Sequence, residues 1–326
     1  MQRLLILWAV ILFPSLVAGQ SSKVRMAYTS INIQMTPIYM MKEFNLPRKH
    51  GLDAEILMIP VSSRALQSAL AGEIQFLTSG GVANINANMA GADFVGLTST
   101  ISTFVFKIMG QPAVKEPSQL KGKKVAISRI GGASDFSLRY ALERWGLTPD
   151  KDVAIIQVGG ESEGFLALQN KAVDAATISE PFTTLAQRGG FSLVADLSRL
   201  NVPYTLHGIG TRKSIVRDRR EMVLRFMRSY VEGIHLFKTN KELSLSTLKK
   251  VARLTDVSIM DSVYDDYSQR LVPAVPYPTT AGIQTIIDHL TKSRPEAKAL
   301  KASDFIDASI LKEIEDSGFV KKLYGN

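Results

Sequence analysis

Short apolar runs alternate with helical patterns through the first two-thirds of the chain, and this alternation constrains the fold more than any other feature. Apolar runs of this length that are separated by amphipathic helices are typical of parallel α/β units. We therefore predict an α/β fold. The predicted strands are Val24–Tyr28, Ala54–Ile59, Phe94–Thr98, Lys124–Ser128, Val153–Val158 and Ala175–Ile178.

The final third of the chain is helical in pattern, with one interruption. The proline-rich segment 271–280 predicts a linker, since proline neither continues a helix nor donates a backbone hydrogen bond. The predicted helices are 216–238, 241–254, 258–269, 280–291 and 311–323.

A weak internal repeat relates segment 69–79, ALAGEIQFLTS, to segment 168–179, LQNKAVDAATIS. Each reads as the end of a helix, a turn, a short strand and a polar tip. Because the two copies are far apart in the chain, they predict two lobes of similar topology.

The first 19 residues have the layout of a secretory signal peptide, with a basic start, an apolar run and small residues at the end. The apolar run is short for a membrane span, so an anchor is the weaker alternative. We expect cleavage after Gly19 and export to a bacterial periplasm. The sequence has no cysteine, which excludes disulfides, thiolate metal ligands, cysteine nucleophiles and a lipid-modified N-terminal cysteine.

The formal net charge is +9, but the basic residues are scattered rather than clustered. Arg217, Arg220 and Arg225 alternate with Asp218 and Glu221 along one predicted helix. This pattern favours a solvated helix face, with at most a modest field that steers anionic ligands. We therefore expect no nucleic-acid partner.

Familiar catalytic motifs are missing from the sequence. The four histidines lack the spacing of a zinc hydrolase, and neither a nucleophilic-serine elbow nor a nucleotide-binding P-loop is present. Gly208-Ile209-Gly210 lacks the third glycine of a dinucleotide site, and we interpret it as a tight turn. We expect no metal and no cofactor.

Small polar residues and glycines follow several predicted strands. In an open parallel sheet, ligands bind outside the carboxyl ends of the strands. We therefore predict a binding pocket with two halves. One half holds Ser30, Ser63, Ser79, Gly80, Thr98 and Ser99, and the other holds Ser128, Gly131, Gly132, Ala133, Ser134, Glu161 and Glu180. Taken singly, Ser134 could instead cap its helix, and Glu180 could face solvent.

The glycine-rich turn of segment 127–142, ISRIGGASDFSLRYAL, leads directly into a predicted helix. A helix that begins on such a turn offers free backbone N–H groups and the positive end of its dipole, which suit an anion. The turn lacks the Lys-Ser/Thr pair of a nucleotide loop, so a small polar or anionic ligand is the better prediction.

Four segments resemble the periplasmic substrate-binding proteins of ABC importers for nitrate, sulfonates and taurine, which are related to binders of thiamine-pyrimidine precursors. The segments are 38–57, IYMMKEFNLPRKHGLDAEIL; 69–76, ALAGEIQF; 118–128, SQLKGKKVAIS; and 173–182, VDAATISEPF. The resemblance covers nearly the whole chain after residue 19, and the order and spacing of the four segments are more specific than any one of them. Two departures occur where this family commonly has Gly-x-x-Asp before a strand, because Gln75 replaces the first Asp and Lys171 replaces the second Gly.

The resemblance implies a type II periplasmic-binding-protein fold, with two α/β lobes around a central ligand cleft and a hinge. Residues 20–111 and 206–326 would form the first lobe and residues 112–205 the second. A monomer would bind a small-molecule ligand by lobe closure and deliver it to an ABC permease in the inner membrane.

By the same resemblance, ligand contacts fall on both lobes, at Ser30, Ile31, Ser63, Ser79, Gly80, Gly132, Ala133, Ser134 and Glu180. Glu180 argues against a purely anionic ligand, because a buried carboxylate requires a cation or a hydrogen-bond donor. A sulfonate, taurine, nitrate or a pyrimidine all remain open as the ligand.

Two other functions remain as alternatives to transport. The same fold occurs in enzymes, namely a pyrimidine synthase and certain dehydratases. The synthase relatives carry a cysteine-rich motif that this chain lacks, so we expect no enzyme. A sensor that presents its ligand to a membrane receptor is not distinguished from a transport protein by sequence.

Overall fold

The computed structural model describes residues 23–59, 62–253 and 260–325, without the side chains of Ser62, Ser63 and Ser262. The predicted signal peptide, residues 1–19, lies outside the described residues. None of the helices in these ranges is long and apolar enough to cross a membrane.

The first sheet contains the first four strands of the chain and also the last one, β10. Its strands lie in the order β2-β1-β3-β10-β4, and β10 runs antiparallel to both of its neighbours. The strands are β1 (Val24–Tyr28), β2 (Ala54–Met58), β3 (Phe76–Ser79), β4 (Phe94–Gly96) and β10 (Gly208–Arg212).

The second sheet repeats this arrangement. Its order is β7-β6-β8-β5-β9, and β5 is the antiparallel strand. Its strands are β5 (Lys107–Gly110), β6 (Lys124–Ile127), β7 (Ala154–Gln157), β8 (Ala175–Ile178) and β9 (Ser192–Asp196). Because β5 pairs in this sheet, residues 107–110 belong to the second lobe, whereas the sequence analysis placed them in the first.

Helices cover both sheets and fill the C-terminal third. Those that follow strands of the first sheet are α1 (Thr36–Glu43), α2 (Leu46–Lys49), α3 (Ser62–Leu70) and α4 (Gly81–Met89). Those of the second lobe are α5 (Ala133–Arg144), α6 (Glu161–Gln169) and α7 (Phe182–Arg188). The remainder are α8 (Lys213–Asp218), α9 (Arg220–Thr239), α10 (Lys241–Ala252), α11 (Asp261–Asp265), α12 (Thr280–Leu290), α13 (Ser309–Asp316) and α14 (Phe319–Tyr324).

The C-terminal helices pack mainly on the first lobe, where α9 lies against α1 and α12 against α4. The rings of Phe76 in β3 and Phe226 in α9 stack with centroids 3.9 Å apart, which joins the sheet to this helical layer. Two predicted helices are each divided in the structure. The first breaks at Arg219, between α8 and α9, and the second breaks at Gly318, which has a φ of +76°.

The internal repeat is visible in the backbone. Gln75, before β3, accepts the N–H of Arg25 at 2.9 Å, and Asp174, before β8, accepts the N–H of Lys124 at 2.8 Å. Each side chain thus ties its strand to the neighbouring parallel strand, β1 or β6. Gln75 therefore fulfils the role that Asp174 fulfils in the second copy.

The prediction of a tight turn at Gly208-Ile209-Gly210 is wrong, because these residues begin β10. A Cβ on Gly208 would lie 1.9 Å from the carbonyl oxygen of Thr98, and one on Gly210 would lie 2.3 Å from the ring of Phe94. The glycines permit close packing within the sheet rather than a change of chain direction.

Candidate functional site: a cleft between the two lobes

A cleft of about 880 Å³ lies between the lobes and is lined from both of them. The segments that follow β1, β3, β6 and β7 contribute to its walls, so the carboxyl ends of parallel strands converge there as expected. The two passages of the chain between the sheets, residues 97–106 and 197–207, connect the lobes beside it.

Three helices begin at the cleft wall on glycine. Gly80, Gly132 and Gly160 are the N-cap residues of α4, α5 and α6, and all three line the cleft. No side chain caps any of these helices, which leaves N–H groups of their first turns available to a ligand. One positive helix end from the first lobe and two from the second therefore face the same cavity.

Among the described residues, five buried polar atoms without a hydrogen-bond partner belong to first-lobe residues that line the cleft. They are Asn32 Oδ1, Gln34 Oε1, Thr78 Oγ1, Ser79 Oγ and His207 Nε2, while seven other such atoms belong to residues outside the lining. An unmade hydrogen bond at a buried group costs about 1–3 kcal/mol. This wall is therefore suited to a ligand that supplies the missing partners.

His207 was not predicted as a site residue. Its side chain is 6% exposed, and burial lowers its pKa to about 4, so the imidazole is neutral at physiological pH. His207 immediately precedes the antiparallel strand β10, whose amino end meets the carboxyl ends of its neighbours. The predicted site residues were those that follow strands, and His207 is not among them because it precedes one.

Arg129 was also missed, although it directly follows β6 and lines the cleft. Within the part of the chain that the structure describes, no ion pair or hydrogen bond holds its half-buried side chain. Around it the loop is fixed, since Gln157 accepts the N–H of Ile130 and Asp135 accepts the N–H of Gly131. A guanidinium without a partner on a rigid loop can bind an anion in the cleft.

Glu161 begins α6 and brings a carboxyl group to the cleft. Its Oε2 accepts hydrogen bonds from the backbone N–H of Ser179 at 2.6 Å and from the Ser179 hydroxyl at 2.5 Å. Burial raises the pKa of this carboxyl above its usual value of 4.5, against the effect of the Ser179 donors. The protonated form can donate a hydrogen bond to a ligand, and the ionised form can accept one.

The structure brings most of the predicted site residues to one cavity. Those that line the cleft are Ser30, Ser79, Gly80, Ser128, Gly131, Gly132, Ala133, Ser134 and Glu161. The hydroxyl groups of Ser128 and Ser134 lie 2.7 Å apart. Ser134 therefore joins its helix to the end of β6 rather than capping the helix.

Three other predicted residues, Ile31, Thr98 and Ser99, are not part of the described lining, and a fourth, Ser63, cannot be placed. Ile31 is next to wall residues but is not itself part of the lining, and the side chain of Ser63 lies outside the described structure. Thr98 Oγ1 accepts the N–H of Ile209 at 2.7 Å, and Ser99 Oγ lies 3.0 Å from Ser102 Oγ. Both of these buried hydroxyls are used inside the first lobe.

The prediction that Glu180 faces the ligand is not supported by its contacts. Its carboxylate lies 2.9 Å from Lys107 Nζ and accepts hydrogen bonds from the backbone and the hydroxyl of Thr184. Although burial alone would raise the pKa of Glu180, hydrogen bonds and the charge of Lys107 lower it. An ionised carboxylate satisfied in this way needs no donor from a ligand.

No group of His, Asp or Glu side chains among the described residues is arranged to hold a metal ion. Glu161 and His207, two ionisable side chains of the lining, lie on opposite lobes. The cleft combines hydrogen-bonding groups, helix N-termini and the guanidinium of Arg129 with apolar side chains, a composition typical of ligand-binding sites.

Comparisons with known proteins agree with this architecture. A family profile described as NMT1/THI5 like matches residues 32–242. A putative binding protein of Brucella abortus is 27% identical over 255 residues, which cover 77% of this chain and 78% of that protein.

Two solved structures show the same fold. The periplasmic aliphatic sulphonate binding protein SsuA of Escherichia coli superposes with a TM-score of 0.72 at 21% identity, over 89% of this chain and 98% of that one. The periplasmic nitrate-binding protein NrtA of Synechocystis superposes with a TM-score of 0.76 at 14% identity, over 91% and 89% of the two chains. The predicted periplasmic-binding-protein fold is confirmed.

Proposed function

The chain belongs to the NMT1/THI5-like family, and from that membership we propose that it is the solute-binding component of an ABC importer. It captures a small polar or anionic solute in the cleft and transfers it to a membrane permease. The neighbours of similar fold support this proposal, since their names describe binding proteins for sulphonates and nitrate.

The cluster of unsatisfied polar atoms on the first-lobe wall carries the proposal. Thr78 and His207 are buried with Oγ1 and Nε2 unpartnered, and both residues belong to the lining of the cavity. Buried polar groups in folded proteins are nearly always hydrogen-bonded. Several exceptions on one cavity wall support binding of a polar solute there.

The charge of the solute follows from the groups of the second lobe. The N-termini of α5 and α6 and the unpaired guanidinium of Arg129 all favour an anionic group. Because α4 supplies the same kind of helix end from the first lobe, an anion between the lobes contacts both. Lobe closure then follows from contacts that exist only in the closed state.

In this role the mature protein is a periplasmic monomer that begins after a cleavable signal peptide, and it carries out no chemistry on its solute. The sulfonate, taurine, nitrate and pyrimidine classes are the solutes to be tested.

Titration calorimetry on residues 20–326 tests the proposal directly. A panel of nitrate, taurine, alkanesulfonates, alkyl carboxylates and pyrimidines is titrated, and mass spectrometry then identifies the released solute. We expect one class to bind with a submillimolar Kd and to be recovered unchanged. Recovery of a chemically altered solute, or no binding by any class, contradicts the proposal.

A further inference from the structure

The cleft extends beyond the space between the lobes into a pouch inside the first lobe. This α3–α4 pouch is bounded by Leu66 and Leu70 of α3, by Ala83 and Ala87 of α4 with Ala90 just beyond it, and by Leu77 of β3 as its floor. It is continuous with the cleft at Ser79 and Gly80, where α4 begins. None of the pouch residues belongs to the predicted site.

Small side chains on one face of α4 leave the pouch open. Ala83, Ala87 and Ala90 are spaced at i, i+4 and i+7, so they follow one another along one face of the helix. On α3, Ala65 and Ala69 are buried in the adjoining core, while Leu66 is partly buried and Leu70 is 36% exposed. The two leucines of α3 and the row of alanines on α4 therefore both line the pouch, and the alanines do not fill it.

Two polar side chains at the rim of the pouch are already bonded to other groups. Asn86 Oδ1 accepts a hydrogen bond from Arg294 at 3.0 Å, and Asp93 accepts two from Ser214. The pouch therefore offers apolar surface and little that could bind a charged group. Its chemistry differs from that of the first-lobe wall, where Thr78 and Ser79 have unpartnered hydroxyls.

The size of the cavity agrees with a division into a polar cleft and an apolar pouch. A volume of about 880 Å³ falls within the range of about 300–1,000 Å³ that is typical of sites for drug-sized ligands. The nine residues of α4 extend for about 13 Å, so the pouch reaches well beyond the three helix N-termini. A nitrate or taurine molecule would leave most of this space unfilled.

We propose that the α3–α4 pouch is a separate subsite, which binds the hydrocarbon or ring portion of the solute while the anionic group lies at the N-termini of α4, α5 and α6. This inference rests on the proposed function and specifies its solute as an organic anion with an apolar tail. Ala87 and Ala90 set the length of tail that the subsite accepts.

A homologous series of probes tests this inference. The Kd of straight-chain alkanesulfonates from methanesulfonate to octanesulfonate is measured by calorimetry, and the same lengths are repeated as carboxylates. We expect each added methylene to lower the Kd about three- to fourfold until the pouch is filled. The affinity gain then stops.

Two blocking variants locate the tail. Ala87→Leu fills the middle of the pouch, and Ala90→Leu fills its outer end, at an exposed position that tolerates the larger side chain. We expect the gain to stop at a shorter chain length in Ala87→Leu than in Ala90→Leu, with methanesulfonate affinity unchanged in both. Ala71→Leu, an exposed alanine that does not line the cavity, is the matched control and should keep the wild-type series.

The possible outcomes separate this inference from the proposed function. Binding that does not depend on chain length, or a series that neither blocking variant shortens, overturns the pouch as a subsite and leaves anion binding in place. Absence of binding by every class of solute in the panel, pyrimidines included, overturns both.

Discussion

Glu161 and Ser179 are joined by two hydrogen bonds, which tie the first residue of α6 to the end of β8 at the edge of the cleft. Both bonds end on the same carboxylate oxygen. The second oxygen has no partner among the described residues, and the side chain lines the cleft. A carboxyl group is thus held at a wall that otherwise favours anions.

The pKa of Glu161 gives a pH dependence to test. Because burial raises this pKa in the folded protein, the contribution of Glu161 to stability is most favourable below the unfolded value of about 4.5 and falls as the pH rises through the folded pKa. Glu161→Gln keeps an acceptor for Ser179 and removes the ionisation. We expect the variant to melt about 1–3 °C above wild type at pH 7.5, and this difference should disappear at pH 4. The same difference in melting temperature between variant and wild type at both pH values would contradict a raised pKa for Glu161.

Arg129 is expected to contribute to anion affinity. Replacing it with glutamine removes a charge that can bond directly to the anion, and hydrogen bonds to charged groups contribute about 1.5–3 kcal/mol. Arg129→Gln should therefore raise the Kd about 10- to 100-fold and reduce its dependence on salt. Arg144→Gln, at the exposed end of α5, makes the same change of charge away from the cleft and serves as the control. Equal changes of Kd in the two variants would show that Arg129 affects affinity only through the net charge of the protein.

Glu180 is expected to matter for stability and not for affinity. Lys107→Met leaves its buried carboxylate without its cation, a change that costs about 3–5 kcal/mol when a buried pair is broken. Since Lys107 is 25% exposed, we expect the lower end of this range in urea denaturation. The Kd of Glu180→Gln for the solute should stay within about twofold of wild type. A large loss of affinity in Glu180→Gln would show that Glu180 contacts the solute after all.

Lys171 occupies a position where the backbone favours glycine. Its φ is +55°, and Gly72, at the same place in the first copy of the repeat, has a φ of +83°. A non-glycine residue in this region costs about 1 kcal/mol or more. Lys171→Gly should therefore raise the melting temperature by about 2–4 °C without changing the Kd. A lower melting temperature would show that the lysine side chain makes a stabilising contact that outweighs the strain.

Regular strands could be predicted from the sequence because their signals are local. The predicted ranges for β1 and β8 match the structure residue for residue, since short, mostly apolar runs define them. The antiparallel strands β5 and β10 were not predicted, and neither was β9. Gly208 and Gly210 are favoured by contacts with Thr98 and Phe94, more than a hundred residues earlier in the chain, which no local pattern reveals.

The same reason explains which site residues were missed. The rule that ligands lie at the carboxyl ends of strands finds Ser79, Gly132 and Ser134. It cannot find Phe106 and His207, because they precede the antiparallel strands β5 and β10 and reach the cleft from amino ends. The Lys107–Glu180 pair was hidden because its partners are 73 residues apart in the chain.

Gly132, the N-cap of α5, provides the most direct test of the central claim that helix N-termini bind the solute in the cleft. Its φ of −89° is accessible to other residues, and a Cβ there would lie 3.1 Å from the carbonyl oxygen of Arg129, so the loop has to shift by a few tenths of an ångström. The measurement is the solute Kd of Gly132→Val by calorimetry, with the melting temperature recorded alongside. We predict at least a 100-fold loss of affinity, with a melting temperature within a few degrees of wild type. Unchanged affinity in a folded variant would contradict the claim.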